Sequence, residues 1–177
     1  MGHSAYTREV SECIPTDRAM KLLKSVIFTF LGPGILIAAI PYLILHSGAA
    51  LVIEIGVVRY VGLIVLIAGA GIACWCMWAF IAIGRGMPTS VNPPVELVAQ
   101  GLYRYERNPM YSGVLLIIFG EALYYASPAL LAYGVLAWLI LHVFVVTYEE
   151  PSLRRRFGAA YDRYVQSIPR WIPHLGS

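Results

Sequence analysis

Three groups of polar residues stand out against apolar surroundings. Arg107-Asn108-Pro109-Met110-Tyr111, in the context GLYRYERNPMYSGVLLIIFG, brings an arginine, an amide and a tyrosine to the start of an apolar run. Asn-Pro is helix-start chemistry, and a following tyrosine anchors an interface. The free N–H groups of such a start favour anions, and Arg107 beside them adds a fork for a carboxylate or phosphate. Glu149-Glu150 close a second apolar run. Two adjacent acids at a helix C-terminus oppose the helix dipole, so they need compensation. Arg154–Arg156 can supply it, and so can a cationic or hydroxyl-bearing ligand. Glu121 lies within an apolar run, near Tyr124 and Tyr125. An acid at such depth is either functional or paired across helices, for example with His142 on the next run.

The elements that carry these groups follow from composition. Of the 177 residues, 59% are hydrophobic and 13% charged, against about 45–50% and about 25% in soluble domains. A small globule cannot hide that excess, so the expected solvent is a bilayer. Four apolar segments run at about 22–45, 57–83, 111–126 and 128–147. The first contains Gly32-Pro33-Gly34, a kink signal. Gly62, Gly69, Ala70, Gly71 and Ala73 give the second a small-residue patch for close packing. The third is short: about 15–17 helical residues rise roughly 25 Å, against a hydrocarbon core of about 30 Å. Ser127-Pro128 then supplies a cap and a first-position proline, so the last two spans form a tight hairpin.

Charge sets the orientation. Lys and Arg gather in the N-terminal arm (Arg8, Arg18, Lys21, Lys24), in the loop 84–110 (Arg85, Arg104, Arg107) and in the tail 148–177 (Arg154, Arg155, Arg156, Arg163, Arg170). The remaining one, Arg59, falls on the opposite side near Glu54. Four spans with both termini cytoplasmic produce that alternation. The expected fold is therefore all-α and integral to the membrane, with four transmembrane helices and an amphipathic C-terminal cytoplasmic helix. Residues 1–20 form a cytoplasmic arm and 21–177 a single domain. In the tail, Leu153, Phe157, Tyr161, Tyr164 and Ile168 recur at helical spacing with basic residues between, as in an interfacial helix folded back on the membrane. The loop is stiffened by Pro88, Pro93, Pro94 and Pro109, and either frames a pocket or simply connects.

Several functions are excluded. No basic stripe interleaved with aromatics supports nucleic-acid binding. Cys13, Cys74, Cys76 and the histidines lack zinc spacing, so no metal site is expected. Gly69-Ala70-Gly71 lies inside a span rather than between a strand and a helix, which rules out a dinucleotide loop. Four short spans with one buried acid make a poor transport path.

Taken in order, GLYRYERNPMY, an apolar hairpin and EEPSLRRRFGAAYDRYVQSIPRWIP resemble the isoprenylcysteine carboxyl methyltransferase family and its bacterial relatives, with the phospholipid N-methyltransferases as more distant kin. The resemblance covers about residues 84–177 and rests on Gly-x-Tyr, Arg-x-Pro-x-Tyr, the Glu-Glu pair and Phe-Gly-x-x-Tyr-x-x-Tyr. It implies a membrane enzyme that uses S-adenosylmethionine, held at the cytoplasmic ends of the last two helices and roofed by the tail. The implied cofactor contacts are Glu96, Leu97, Val98 and Tyr103 in the loop, Arg107, Asn108, Pro109 and Tyr111 at the corner, and Glu149 with Glu150 beside it. Tyrosine faces suit the cationic sulfur. Methyl transfer is a direct displacement in which positioning carries most of the rate, and no catalytic side chain is singled out.

Two positions depart from the prenylcysteine members. Those carry an arginine shortly before the acid pair, where this chain has Phe144-Val145-Val146-Thr147, and a histidine where it has Asn108. The expected function is thus S-adenosylmethionine-dependent methyl transfer to a small lipophilic or lipid-borne carboxylate, amine or thiol at the cytoplasmic membrane face. The family likeness suggests a prokaryotic inner membrane, with membrane lipids and the lipophilic acceptor as partners. The alternative is a non-catalytic membrane protein that binds a lipid or partner through its basic tail.

Overall fold

Four glycines, two on each of two neighbouring helices, set the closest backbone approach in the fold. The computed structural model describes residues 32–47, 53–82 and 99–173. Glu96, Leu97 and Val98 lie outside them. Helix α1 is Gly32–His46, α2 is Arg59–Ala82, and α3 is Pro109–Tyr124. Helix α4 is Pro128–Phe144, followed by a π turn at Val145–Glu149, then α5 at Glu150–Phe157 and α6 at Ala159–Ser167. The described residues contain no strand.

Helices α2 and α3 run antiparallel, and their glycines meet in pairs. A Cβ built on Gly62 would lie 2.6 Å from the Gly120 carbonyl oxygen, and one on Gly69 2.7 Å from that of Gly113. Each pair is spaced by seven residues on its helix, two turns, so both contacts fall on one face. With no side chains between them the backbones touch, which is how apolar helices gain packing energy where the hydrophobic effect is absent. Gly71 lies off this face, with nothing within 4 Å of an added Cβ among the described residues. Cys76, seven residues beyond Gly69, is fully buried and packs with Tyr103, whereas Cys74 is exposed.

The hairpin between α3 and α4 forms as its residues predict. The Ser127 hydroxyl accepts from the Leu130 N–H, and Pro128 takes the first helical turn. Gly134 lets α4 close on the Phe119 ring of α3. Helix α1 docks through Ile37 and through its Leu36 carbonyl, which accepts from the Tyr133 hydroxyl at 2.9 Å. The kink expected at Gly32-Pro33-Gly34 falls at the edge of the described residues; the irregularity within α1 is instead a π turn at Ile35–Ala39, closed by Ile40 N–H on the Ile35 carbonyl. Pro41, next in line, has no N–H to continue the ladder.

The end of the fourth apolar segment differs from expectation. The chain does not leave the helix near Thr147 but stays helical to Phe157. The π turn adds a residue to one turn and so rotates Glu149 and the residues after it. The acid pair does not break the helix because protein groups compensate it. The true break is Gly158, at φ +53, and α6 starts there. Helices Gly56–Ala79 and Pro128–Phe157 are long and apolar enough to cross a membrane, while Gly32–His46 and Pro109–Tyr124 are shorter.

Replacing Gly69 by Leu should lower the thermal stability of the detergent-solubilised protein by about 1–3 kcal/mol or more, the usual cost of overpacking. Gly71→Leu should change it little. Equal effects at the two positions in thermal unfolding would contradict the packing described.

Candidate functional site

The corner at the start of α3 is built by the tail as much as by its own residues. Asn108 precedes the helix, but its side chain makes no cap bond. Its amide donates instead to the Arg170 carbonyl at 3.1 Å, and the Arg107 N–H donates to the Pro169 carbonyl at 2.9 Å. The strap after α6 therefore lies across the helix start. Pro109 occupies the first helical position, where a missing N–H costs nothing.

The two adjacent acids have different partners. Glu150 takes Arg107 Nη1 at 2.9 Å on one oxygen, and Arg170 on both, at 2.6 and 3.1 Å. Glu150 and Arg107 side chains are only 14% and 12% exposed, so this is a largely buried charge cluster. Breaking such a cluster by removing one partner leaves a buried charge and costs about 3–5 kcal/mol. Among the described residues Glu149 accepts only from a neutral donor, the Tyr111 hydroxyl at 2.9 Å. Arg154–Arg156 do not compensate the acids. All three are exposed, and Arg154 instead pairs with Asp162 across the Gly158 break at 2.7 Å.

Phenols surround this cluster. Tyr103 is buried, and its carbonyl accepts from the Tyr164 hydroxyl at 2.8 Å. Tyr161 is buried beside Arg107. Burial pushes Tyr103, Tyr161 and Tyr164 above the ordinary tyrosine range, so they stay neutral at physiological pH. Arg107 Nε is buried with no protein partner among the described residues. A buried guanidinium N–H without an acceptor is costly and suits an anionic ligand atom.

The structure thus brings Tyr103, Arg107, Asn108, Pro109, Tyr111, Glu149 and Glu150 together at one end of the helices. The placement of Glu96, Leu97 and Val98 lies outside the described residues. Glu121 does not pair with His142. One of its carboxylate oxygens is buried without a partner among the described residues, and His142 accepts from the Trp171 indole at 2.9 Å. The reason is the strap, which carries Trp171 into the cluster of Val114, Leu115, Ile118 and Ala137. Sequence reasoning passed over Arg170, Trp171 and Glu106. Arg170 and Trp171 follow Pro169 in PRWIP, a proline-led motif whose target is not encoded locally. Glu106, 5% exposed, had a weak signal as the acid beside Arg107, and it accepts from the Ser112 hydroxyl.

Comparison with known proteins adds a family. The phospholipid methyltransferase profile matches residues 57–160. A rice protein (Oryza sativa subsp. indica) named probable protein-S-isoprenylcysteine O-methyltransferase is 30% identical over 123 residues, 67% of this chain and 62% of its own length. Protein-S-isoprenylcysteine O-methyltransferase B of Arabidopsis thaliana is 32% identical over 81 residues, 45% of this chain and 41% of that protein. The chain therefore spans less than two thirds of these curated relatives. Among solved structures, the eukaryotic intramembrane Ras methyltransferase ICMT matches with a TM-score of 0.55 and 20% identity, over 92% of this chain and 54% of that one. At that identity the likeness concerns the fold.

Burial raises the Glu106 carboxyl from 4.5 to about 7, opposed in part by the Ser112 hydroxyl. The folded state therefore holds this proton more tightly than the unfolded state. Its contribution to stability is full below about 4.5 and is lost as pH rises through about 7. Glu106→Gln should flatten the fall in thermal stability across that window. A variant that keeps the wild-type pH slope would show that another group produces it.

Proposed function

This chain belongs to the phospholipid methyltransferase family, and from that premise we propose that it transfers a methyl group from S-adenosylmethionine to a small lipophilic or lipid-borne acceptor at the cytoplasmic membrane face. The observation that carries the reading is the unequal treatment of the two acids. Among the described residues, Glu150 is satisfied by two arginines, while Glu149 has only a phenol. Glu149 is thus the acid left for a ligand.

The residues present fit the cofactor. When bound, S-adenosylmethionine supplies a methyl group activated on a sulfonium. The unpartnered Arg107 Nε–H and the start of α3 suit its carboxylate. Glu149 suits its hydroxyl groups, releasing Tyr111 or sharing it. The faces of Tyr103 and Tyr111 offer an electron-rich wall to the positive sulfur. Asn108 and Pro109 hold the corner in register with the strap. Glu96, Leu97 and Val98 complete the proposed contact set from the loop. These groups bind, orient and exclude water, which is what a direct displacement requires of a protein.

The proposed membrane placement has four spans and both termini cytoplasmic, in a prokaryotic inner membrane. The Lys and Arg distribution supports it. So does Arg59 at the opposite end of α2, where its guanidinium sits 4.9 Å from the centre of the Tyr124 ring. The tail α5–α6 then lies along the cytoplasmic face with Arg155, Arg156 and Arg163 outward.

Calorimetric titration with S-adenosylmethionine and S-adenosylhomocysteine tests the reading. Both should bind, and Glu149→Gln and Tyr111→Phe should each weaken binding by about tenfold. A labelled-methyl assay against extracted lipids, thiols, amines and acids then identifies the acceptor. A well-folded sample that binds neither cofactor form sinks the proposal and leaves the non-catalytic, tail-mediated reading.

A further inference from the structure

Tyr103 is held at both ends by residues outside the proposed cofactor contacts. Its carbonyl accepts from the Tyr164 hydroxyl on α6 at 2.8 Å. Its own hydroxyl donates to the Cys76 sulfur on α2. Cys76 is fully buried and Tyr103 is buried against it, with Ile72, Leu102 and Met110 packed around the pair. The turn Gly101–Arg104 that carries Tyr103 rests on the same stretch of α2, where a Cβ built on Gly101 would lie 3.2 Å from the Trp75 indole nitrogen. The Tyr103 phenol also feels the charge of Glu149, the acid left for a ligand, so the held residue borders the site.

A tyrosine ring turns about two side-chain torsions. Fixing the backbone at one end and the hydroxyl at the other removes both, and leaves the ring face a single orientation. Packing alone does not ask for either contact. Alanine at position 76 would line the core but accept no hydrogen bond, and phenylalanine at position 164 would cover Tyr103 but donate none. Tyr164 is also the last tyrosine of the Phe-Gly-x-x-Tyr-x-x-Tyr run, which the proposed cofactor contacts leave without a role.

We infer that Cys76 and Tyr164 are positioning residues that aim the Tyr103 ring at the cationic sulfur of the cofactor, and so set how strongly the site prefers the sulfonium donor to its neutral thioether product. This deepens the methyl-transfer reading and rests on it. A ring face attracts a cation, has nothing comparable for a neutral sulfur, and loses the attraction when it turns away. Loss of the methyl group leaves the sulfur neutral, so a ring locked face-on to it holds the donor more tightly than the product. The groups that support the ring come from α2 and α6, and the ring is fixed only when the tail is seated on the loop.

The test uses the whole purified protein in detergent, titrated calorimetrically with S-adenosylmethionine and with S-adenosylhomocysteine, and reads the ratio of the two affinities. Cys76→Ala and Tyr164→Phe should each shift that ratio by about fivefold against S-adenosylmethionine, with S-adenosylhomocysteine affinity little changed. Cys76→Ser, whose hydroxyl also accepts, should restore it. Cys74→Ala, at an exposed position of α2, should leave it at the wild-type value. In a Tyr103→Leu background neither change should move the ratio further, because the ring through which they act is gone. A merely structural role would weaken both ligands together or neither, whatever stands at position 103. Tyr164→Phe carries the prediction by itself if Cys76→Ala does not fold. The inference is overturned by a wild-type ratio in Tyr164→Phe, by equal falls for the two ligands, by no rescue in Cys76→Ser, or by an undiminished effect in the Tyr103→Leu background. A wild type that binds neither ligand overturns the methyl-transfer reading and this inference together, whereas binding with an unmoved ratio overturns this inference alone.

Discussion

Glu150 holds the polar end of the molecule together. Three separate pieces of chain meet on its carboxylate: the helix that carries it, the corner through Arg107 and the strap through Arg170. Glu150 and Arg107 are largely out of water and Arg170 partly so, and the attraction repays that burial best when all three are in place. That condition makes the arrangement close to all-or-none. It also explains why the strap runs where it does. With Arg170 fixed on Glu150, the adjoining carbonyls of Pro169 and Arg170 face Arg107 and Asn108, and Trp171 is delivered to His142.

The consequence is a division between neighbours. Adjacent residues on a helix point about 100° apart, so two acids in a row cannot share one set of partners. Glu150 faces the arginines and becomes structural. Glu149, rotated by the π turn, faces Tyr111 and the phenols. Among the described residues, a buried carboxyl with a neutral partner stands beside an arginine nitrogen with none.

Beneath that end, the glycine contacts of α2 and α3 provide a rigid base. Continuing the seven-residue spacing from Gly69 brings Cys76 to Tyr103 and the buried Glu106. The loop that shapes the site is thereby seated on the tightest helix pair in the fold. The comparison proteins bear on this architecture rather than on the chemistry of any one residue. The family match spans the helix pair and the acid pair together, residues 57–160.

Local chemistry was legible without a structure. Asn108-Pro109 reads as a helix start and Ser127-Pro128 as a capped one, because each depends on neighbours in sequence. The apolar segments were visible too, since a bilayer demands runs of a set length and keeps arginines to their flanks. Long-range partners were not legible. Arg154–Arg156 stood near the acids in sequence, yet Arg107 and Arg170 took Glu150, 43 and 20 residues away. His142 sat one helix from Glu121, yet Trp171 reached it first. The helix also ran through the acid pair to Gly158, because a dipole penalty that looked decisive locally was cancelled by distant charges. Sequence by itself determined where helices begin, which segments are apolar and which residue types gather at one end. Only the tertiary structure decided which charge meets which, because side-chain pairing depends on the direction in which each backbone presents its groups, and spacing along the chain does not record it.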